Sequence, residues 1–290
     1  MDVETRATAA GLLAILLWAS LALLTTATGS LPPFQVLALA FAIATLLGLL
    51  RVAAGGPKAR RELRQPAAAL ILSTCALFGY HAFYFIALKN APTIEANLLN
   101  YLWPLLIVVF VALLPNGRVN ARQWAGTVLG LAAAVLLVAR GGAIALELRY
   151  LPGYAAALGA ALVWAAYSVL NRRHAQVPSD AILVPCALVA LLGAGVHVAS
   201  EAWVWPQPRQ WLVLAMMGAG PVGAAFLLWD HATKRGNIVL LGSLSYLAPL
   251  LSTLLLVVAG RAQPHPVHAL AVALLLAGGW LSLSGRARSD

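Results

Sequence analysis

The sequence predicts an all-α polytopic membrane protein with ten transmembrane helices in two inverted five-helix repeats around a central cavity. Three observations predict it. Hydrophobic residues fill 62% of the 290 positions and charged residues 10%, against roughly 45–50% and about 25% in a soluble domain. Apolar runs close to the roughly 20 residues needed to cross a bilayer core recur along the whole chain with short polar links between them. One stretch near residue 100 also returns 145 positions later.

Taken in order, the runs fall at 7–27, 34–54, 67–89, 92–114, 121–139, 151–171, 179–200, 209–232, 237–259 and 266–285. The first is long enough to span, and Met-Asp-Val-Glu-Thr-Arg before it lacks the basic lead of a cleaved signal, so it reads as a helix that stays. Around the end of the second come Arg51, Lys58, Arg60, Arg61 and Arg64. The third carries an aromatic stretch, Phe78 to Phe85, and the fourth opens on Pro92, suited to a first helical turn. The fifth contains Gly126-Thr127-Val128-Leu129-Gly130, a close-packing motif whose bland role is packing or dimerisation. Fourteen of the nineteen Lys and Arg residues fall on one side of this alternation and five on the other. The positive-inside bias therefore puts both termini in the cytoplasm.

Composition also excludes. No soluble domain fits between the spans, and a net charge of +10, which would suggest nucleic acid in a soluble chain, is here strung out as loop punctuation. Cys75 and Cys186 sit inside apolar runs, where a thiol acts as a small hydrophobe rather than a disulfide partner. His265 and His268 lack a nearby carboxylate or thiol, so they make a poor metal site and read as a solvated loop. Metalloprotease, Walker and Gly-x-Ser-x-Gly motifs are absent, which argues against an enzyme and against a resident cofactor.

Tyr101-Leu102-Trp103-Pro104-Leu105-Leu106 lies over Tyr246-Leu247-Ala248-Pro249-Leu250-Leu251, with Asn100 opposite Ser245. Trp18-Ala19 against Trp164-Ala165, and Ala87-Leu88-Lys89 against Ala232-Thr233-Lys234, repeat at nearly the same offset. Five spans per copy is an odd number, so the second copy enters from the opposite side. The halves are 1–140 and 141–290. Inverted repeats with paired helix interruptions are the architecture of alternating-access carriers, substrate held near the midplane. Each proline removes a backbone donor and frees the carbonyl four residues earlier, on Asn100 and Ser245. Pro104 and Pro249 are therefore the candidate hinges.

Asn97, Asn100, Tyr101 and Pro104 follow i, i+3, i+4, i+7 spacing and share one helix face. Buried amides in lipid face either a neighbouring helix or a wet cavity, and the proline defect on the same stripe favours the cavity. His81 and Tyr84 on the third helix, the mid-span tryptophans Trp18, Trp103 and Trp164, and Tyr246 complete the candidate substrate-binding set. Trp124, Trp203, Trp205, Trp211 and Trp280 read as an interfacial belt. Asp230 has Lys234 four residues on and reads as a structural ion pair. Glu95, near the outer end of its helix where water can reach it, has no local partner and is the candidate for proton coupling.

The chain resembles the EamA-type branch of the drug/metabolite transporter superfamily. The resemblance rests on the ten short helices and on Ala87-Leu88-Lys89-Asn90-Ala91-Pro92 and Thr233-Lys234-Arg235-Gly236-Asn237 leading into the two proline-bearing segments. It implies a carrier whose proline-bearing helices line a central cavity, at Asn97, Asn100, Tyr101, Trp103 and Tyr246. Where many such repeats end these helices in Gly-Glu, this chain has Leu114-Pro115-Asn116-Gly117 and Gly260-Arg261. A cavity framed by Trp, Tyr and Phe with a few polar groups suits a flat apolar side chain with a small polar head, and aromatic faces attract an ammonium group. The expected solutes are amino acids, preferably aromatic, moved outward across a bacterial inner membrane. Another small amphiphile, such as a nucleoside or drug-like compound, is the alternative. The expected partners are the solute and membrane lipids, with no nucleic acid, in a monomer or homodimer.

Overall fold

The computed structural model describes residues 2–115, 117–139, 147–260, 263 and 266–284. Asn116, Arg261 and His265, which entered the reading of the sequence, lie outside the described residues.

Each expected span is a helix or a broken pair of helices. The first is α1 (Val3–Ala19) followed by α2 (Leu21–Ala27), and the second and third are α3 (Pro33–Glu62) and α4 (Ala67–Asn90). The fourth is α5 (Thr93–Asn100) with α6 (Trp103–Ala112), and the fifth is α7 (Ala121–Ala139). In the second half come α8 (Leu151–Leu170), α9 (Leu183–Ser200), α10 (Pro208–Ala219) with α11 (Ala225–Arg235), α12 (Ile238–Leu244) with α13 (Leu247–Val258), and α14 (Pro266–Ser284). Among the described residues, nine spans are long and apolar enough to cross a membrane, and a shorter apolar helix, Ala121–Leu137, supplies the fifth position.

Two elements differ from the sequence reading. The second helix does not end near residue 54: it continues to Glu62 across a bend at Gly56. There φ is 68°, a backbone conformation that glycine takes without Cβ strain. The cationic stretch from Lys58 to Arg61 is thus a helical extension. His268, expected in a loop, stands in the first turn of α14.

Packing respects the repeat. Exchanging each span of one half for its counterpart in the other maps the packed pairs onto one another: α4 on α8 becomes α11 on α1, α6 on α8 becomes α13 on α1, and α3 on α10 becomes α9 on α4. Three further pairs, α3 on α9, α6 on α12 and α7 on α14, map onto themselves. The halves therefore meet along an interface with approximate two-fold symmetry.

Small residues set the tightest crossing. A Cβ on Gly278 of α14 would stand 2.6 Å from the carbonyl oxygen of Gly126 in α7, and a Cβ on Gly130 would run into the Tyr246 ring. The motif at 126–130 is accordingly used inside the molecule, letting α7 approach α14 and the α12–α13 turn. Trp203, Trp205, Trp211 and Trp280 are exposed, as a belt requires, whereas Trp124 is half-buried and packs against the core.

Candidate functional site

Both proline-bearing spans break where the sequence repeats. The interruption falls at Tyr101–Leu102 in one and Ser245–Tyr246 in the other. Pro249 leaves the Ser245 carbonyl without its helical donor, and the backbone N–H of Ala248 donates to it instead at 3.1 Å, tightening the turn.

The seam between the halves is paved with rings. Trp18 lies 5.6 Å from Trp164, 5.8 Å from Phe226 and 5.1 Å from Trp229. Tyr80 reaches Trp164 at 5.5 Å, and Trp103 meets Trp229 edge-on at 5.9 Å. Phe41 stacks on Phe226 at 5.7 Å, and His81 stands perpendicular to Phe41 at 5.5 Å. Spacings of this kind are favourable edge-to-face and offset arrangements. The rings along the seam pack against one another.

Polar groups are fixed around it. A π-turn at Gly220–Ala224 interrupts the eighth span, and the Trp18 indole N–H donates to the Pro221 carbonyl at 2.9 Å. Turns of this type recur at functional sites. The Trp229 indole donates to Ser168 at 3.1 Å, while Trp103 and Trp164 have no acceptor for their indole N–H among the described residues. His81 Nδ1 donates to the Leu77 carbonyl at 2.6 Å, which turns Nε2 away from its own helix. The Tyr84 hydroxyl donates to Asn97 Oδ1 at 2.5 Å, and the Asn100 amide donates to the Tyr80 hydroxyl at 3.2 Å. Both asparagines thus bond tyrosines on α4, the neighbouring-helix use weighed for them above. Asn100 keeps one buried oxygen, Oδ1, without a partner among the described residues.

The structure brings together Trp18, His81, Trp103 and Trp164, with Tyr84, Asn97 and Asn100 attached through Tyr80. Tyr101 sits half-buried in the turn of the fourth span. Tyr246 is elsewhere: it is fully buried with Ala133, Leu137, Leu250, Ala271 and Leu275, in a cluster separate from the ring seam. Glu95 is 8% exposed rather than open to water, and its Oε2 has no hydrogen-bond partner among the described residues. Sequence reasoning passed over Phe41, Tyr80, Phe226 and Trp229. Only Tyr80 carried a signal, its place beside His81 in the aromatic stretch; the others look like ordinary apolar residues until the halves meet.

A family model for EamA-like transporters matches residues 5–139 and, a second time, 151–284. The chain belongs to the EamA-like transporter family. The double match spans the two halves whose helices pack as counterparts, and a transporter rather than an enzyme is what the family describes. This EamA-like transporter is 48% identical over 276 residues to the aromatic amino acid exporter YddG of Ancylobacter novellus, covering 95% of this chain and 96% of that one. To the aromatic amino acid exporter YddG of Escherichia coli it is 27% identical, over 86% of this chain and 87% of the other. A solved structure titled only as a crystal structure of protein superposes with a TM-score of 0.93 at 46% identity, covering 99% of this chain and all of that one. The transporter is an integral membrane protein by its spans and its family.

Proposed function

We propose that this transporter exports amino acids, aromatic ones by preference, by alternating access. Residues 1–140 and 141–290 rock against each other about Pro104 and Pro249, and parting of the seam opens a substrate cavity walled by Trp18, Trp103 and Trp164. His81, Tyr84, Asn97, Asn100 and Tyr101 supply its polar side, with Tyr80 added to them; Tyr246 acts from the neighbouring cluster as a support of the ninth-span turn. The face carrying both termini is cytoplasmic, in a bacterial inner membrane, in keeping with the Lys and Arg asymmetry.

The observation that carries this reading is the ring-walled seam between the halves, with amide and imidazole groups at its edge. Indole stacks on such walls, and the spare Asn100 oxygen accepts from an ammonium group. The names of the YddG relatives support the same solute class.

Counterflow tests it. Liposomes holding purified protein and preloaded with unlabelled tryptophan are expected to accumulate labelled tryptophan, whereas a buffer preload gives none. Trp164→Ala, which removes one ring face worth about 0.5–1.5 kcal/mol, is expected to lower the affinity roughly three- to tenfold. Absence of accumulation by folded protein would discard the amino acid assignment and move the search to nucleosides and other small amphiphiles.

A further inference from the structure

A cavity of about 490 Å³ opens on the face that carries the start of α1 and the end of α14, here the terminal face, away from the ring seam. Its wall comes from four distant parts of the chain: Glu4 at the start of α1, the segment after α6 with Gly117 and Arg118, Arg172 just beyond α8, and Arg235 to Ile238 between α11 and α12. Both halves contribute. The cavity lies at the ends of the two proline-broken spans, between the exit of α6 and the entry of α12.

Three guanidinium groups and one carboxylate line it. Orientation alone puts arginines on this face, so their number argues little. Their arrangement argues more. Arg172 Nη1 donates to the Gly236 carbonyl at 2.9 Å, and Arg235 Nη2 donates to the Ala175 carbonyl at 3.2 Å. A carbonyl fixes a guanidinium without neutralising it, and each keeps further donors for a ligand. Elsewhere on this face an arginine is neutralised, Arg51 by Asp180 at 2.5 Å. Arg118 makes no hydrogen bond or ion pair with a described residue. Beside these donors, Val111, Leu114 and Ile238 give the cavity an apolar wall.

We propose that this cavity is an entry site that docks the carboxylate of the outgoing solute before the seam opens to it. Arg118 is the capturing group, and Arg172 and Arg235 hold the positive field in place. The inference rests on the reading of the chain as an amino acid exporter with this face cytoplasmic. A guanidinium grips a carboxylate through two parallel hydrogen bonds, the apolar wall takes the side chain, and the volume lies in the range of small-molecule sites. The docking is sided: solute arriving from the terminal face meets this site before the seam, and solute from the opposite face meets it only after.

The test compares wild type, Arg118→Gln and Arg118→Lys in inside-out and right-side-out membrane vesicles. Initial rates of labelled tryptophan entry are measured against unlabelled tryptophan or tryptophanamide, which lacks the carboxylate. Arg118→Gln is expected to raise KM from the terminal face by about tenfold or more, the loss of a charge-assisted hydrogen bond. The maximal rate from the terminal face and the KM from the other face stay within about twofold, while the maximal rate from the other face falls by the factor that KM gains, because both directions share one equilibrium constant. Arg118→Lys recovers part of the loss, and tryptophanamide competes equally against wild type and Arg118→Gln. An unchanged KM at the terminal face, an equal change of KM at both faces, or a fall of the maximal rate with KM unchanged at both faces overturns the proposal. So does a KM effect that follows the anionic lipid content of the vesicles and not the competitor's carboxylate, which would make the cavity a headgroup site.

A second readout does not need transport. Benzoate, but not benzamide, is expected to raise the melting temperature of the purified protein, and less so in Arg118→Gln; an equal rise in both overturns the anion site. If wild type moves no tryptophan while benzoate still discriminates the two proteins, the solute assignment has failed and the anion site stands.

Discussion

Beside the ring seam sits an ion pair that water barely reaches. Lys234 Nζ meets Asp230 Oδ2 at 2.7 Å, with both side chains 3% exposed. The surroundings complete it: Asn171 donates to Asp230 Oδ1 at 3.0 Å, and Lys234 also donates to the Val177 carbonyl at 3.1 Å. Removing one partner of such a pair strands the other charge, at a cost of about 3–5 kcal/mol. Lys234→Met is therefore expected to lower the melting temperature of the purified protein sharply. Adding Asp230→Asn in that background recovers much of the loss, because the amide oxygen still accepts from Asn171 and no buried charge is left over. Glu95 is the contrasting case, a buried carboxyl with an oxygen that no described residue holds. We propose it as the proton carrier of the transport cycle, since intramembrane carboxyl groups without a fixed partner are where such relays are found. Glu95→Gln is then expected to abolish the pH dependence of tryptophan counterflow while the protein stays folded. A pH profile identical to wild type would remove Glu95 from the mechanism.

The helices that matter most are the ones that fail to run straight. The fourth and ninth spans each pause for two residues just before a proline, at Tyr101–Leu102 and Ser245–Tyr246. In hydrocarbon a lost backbone hydrogen bond is tolerated only where another group replaces it, and Ala248 does so for Ser245. Such a joint bends more easily than a continuous helix. Replacing Pro104 and Pro249 together with alanine restores both donors and is expected to slow counterflow by at least about tenfold with little loss of stability. Undiminished transport in the double variant would end the hinge proposal. At this level much of the chain was readable in advance: the proline offset of 145 and the small-residue motif at 126–130 both stood in the sequence. The continuation of α3 past Gly56 did not, because charged residues and glycines look alike in a loop and in a helical end that leaves the bilayer.

Across the whole molecule, the approximate two-fold exchange of packed helix pairs is what a carrier with two interchangeable faces requires. In the proposed transport cycle the ring seam and the arginine-lined cavity on the terminal face belong to one path, met at different depths. Ten apolar runs, their inversion and the paired prolines follow from sequence alone, because bilayer thickness dictates span length and an odd span count dictates inversion. Trp18, Trp103, Trp164 and His81 also stood out unaided, since large polar-tipped rings and ionisable groups are costly at mid-membrane and draw notice there. The tertiary structure alone could decide that Asn97 and Asn100 bond tyrosines of α4, that Tyr246 packs against Gly130 apart from the seam, and that Glu95 is buried. It alone gathered Phe41, Phe226 and Trp229 into the ring wall and Arg118, Arg172 and Arg235 around one cavity. The physical reason is the same in each instance. Periodicity tells which side of a helix a residue occupies, but the partner across that side is chosen by how two halves pack, and those halves are about 145 residues apart in the chain.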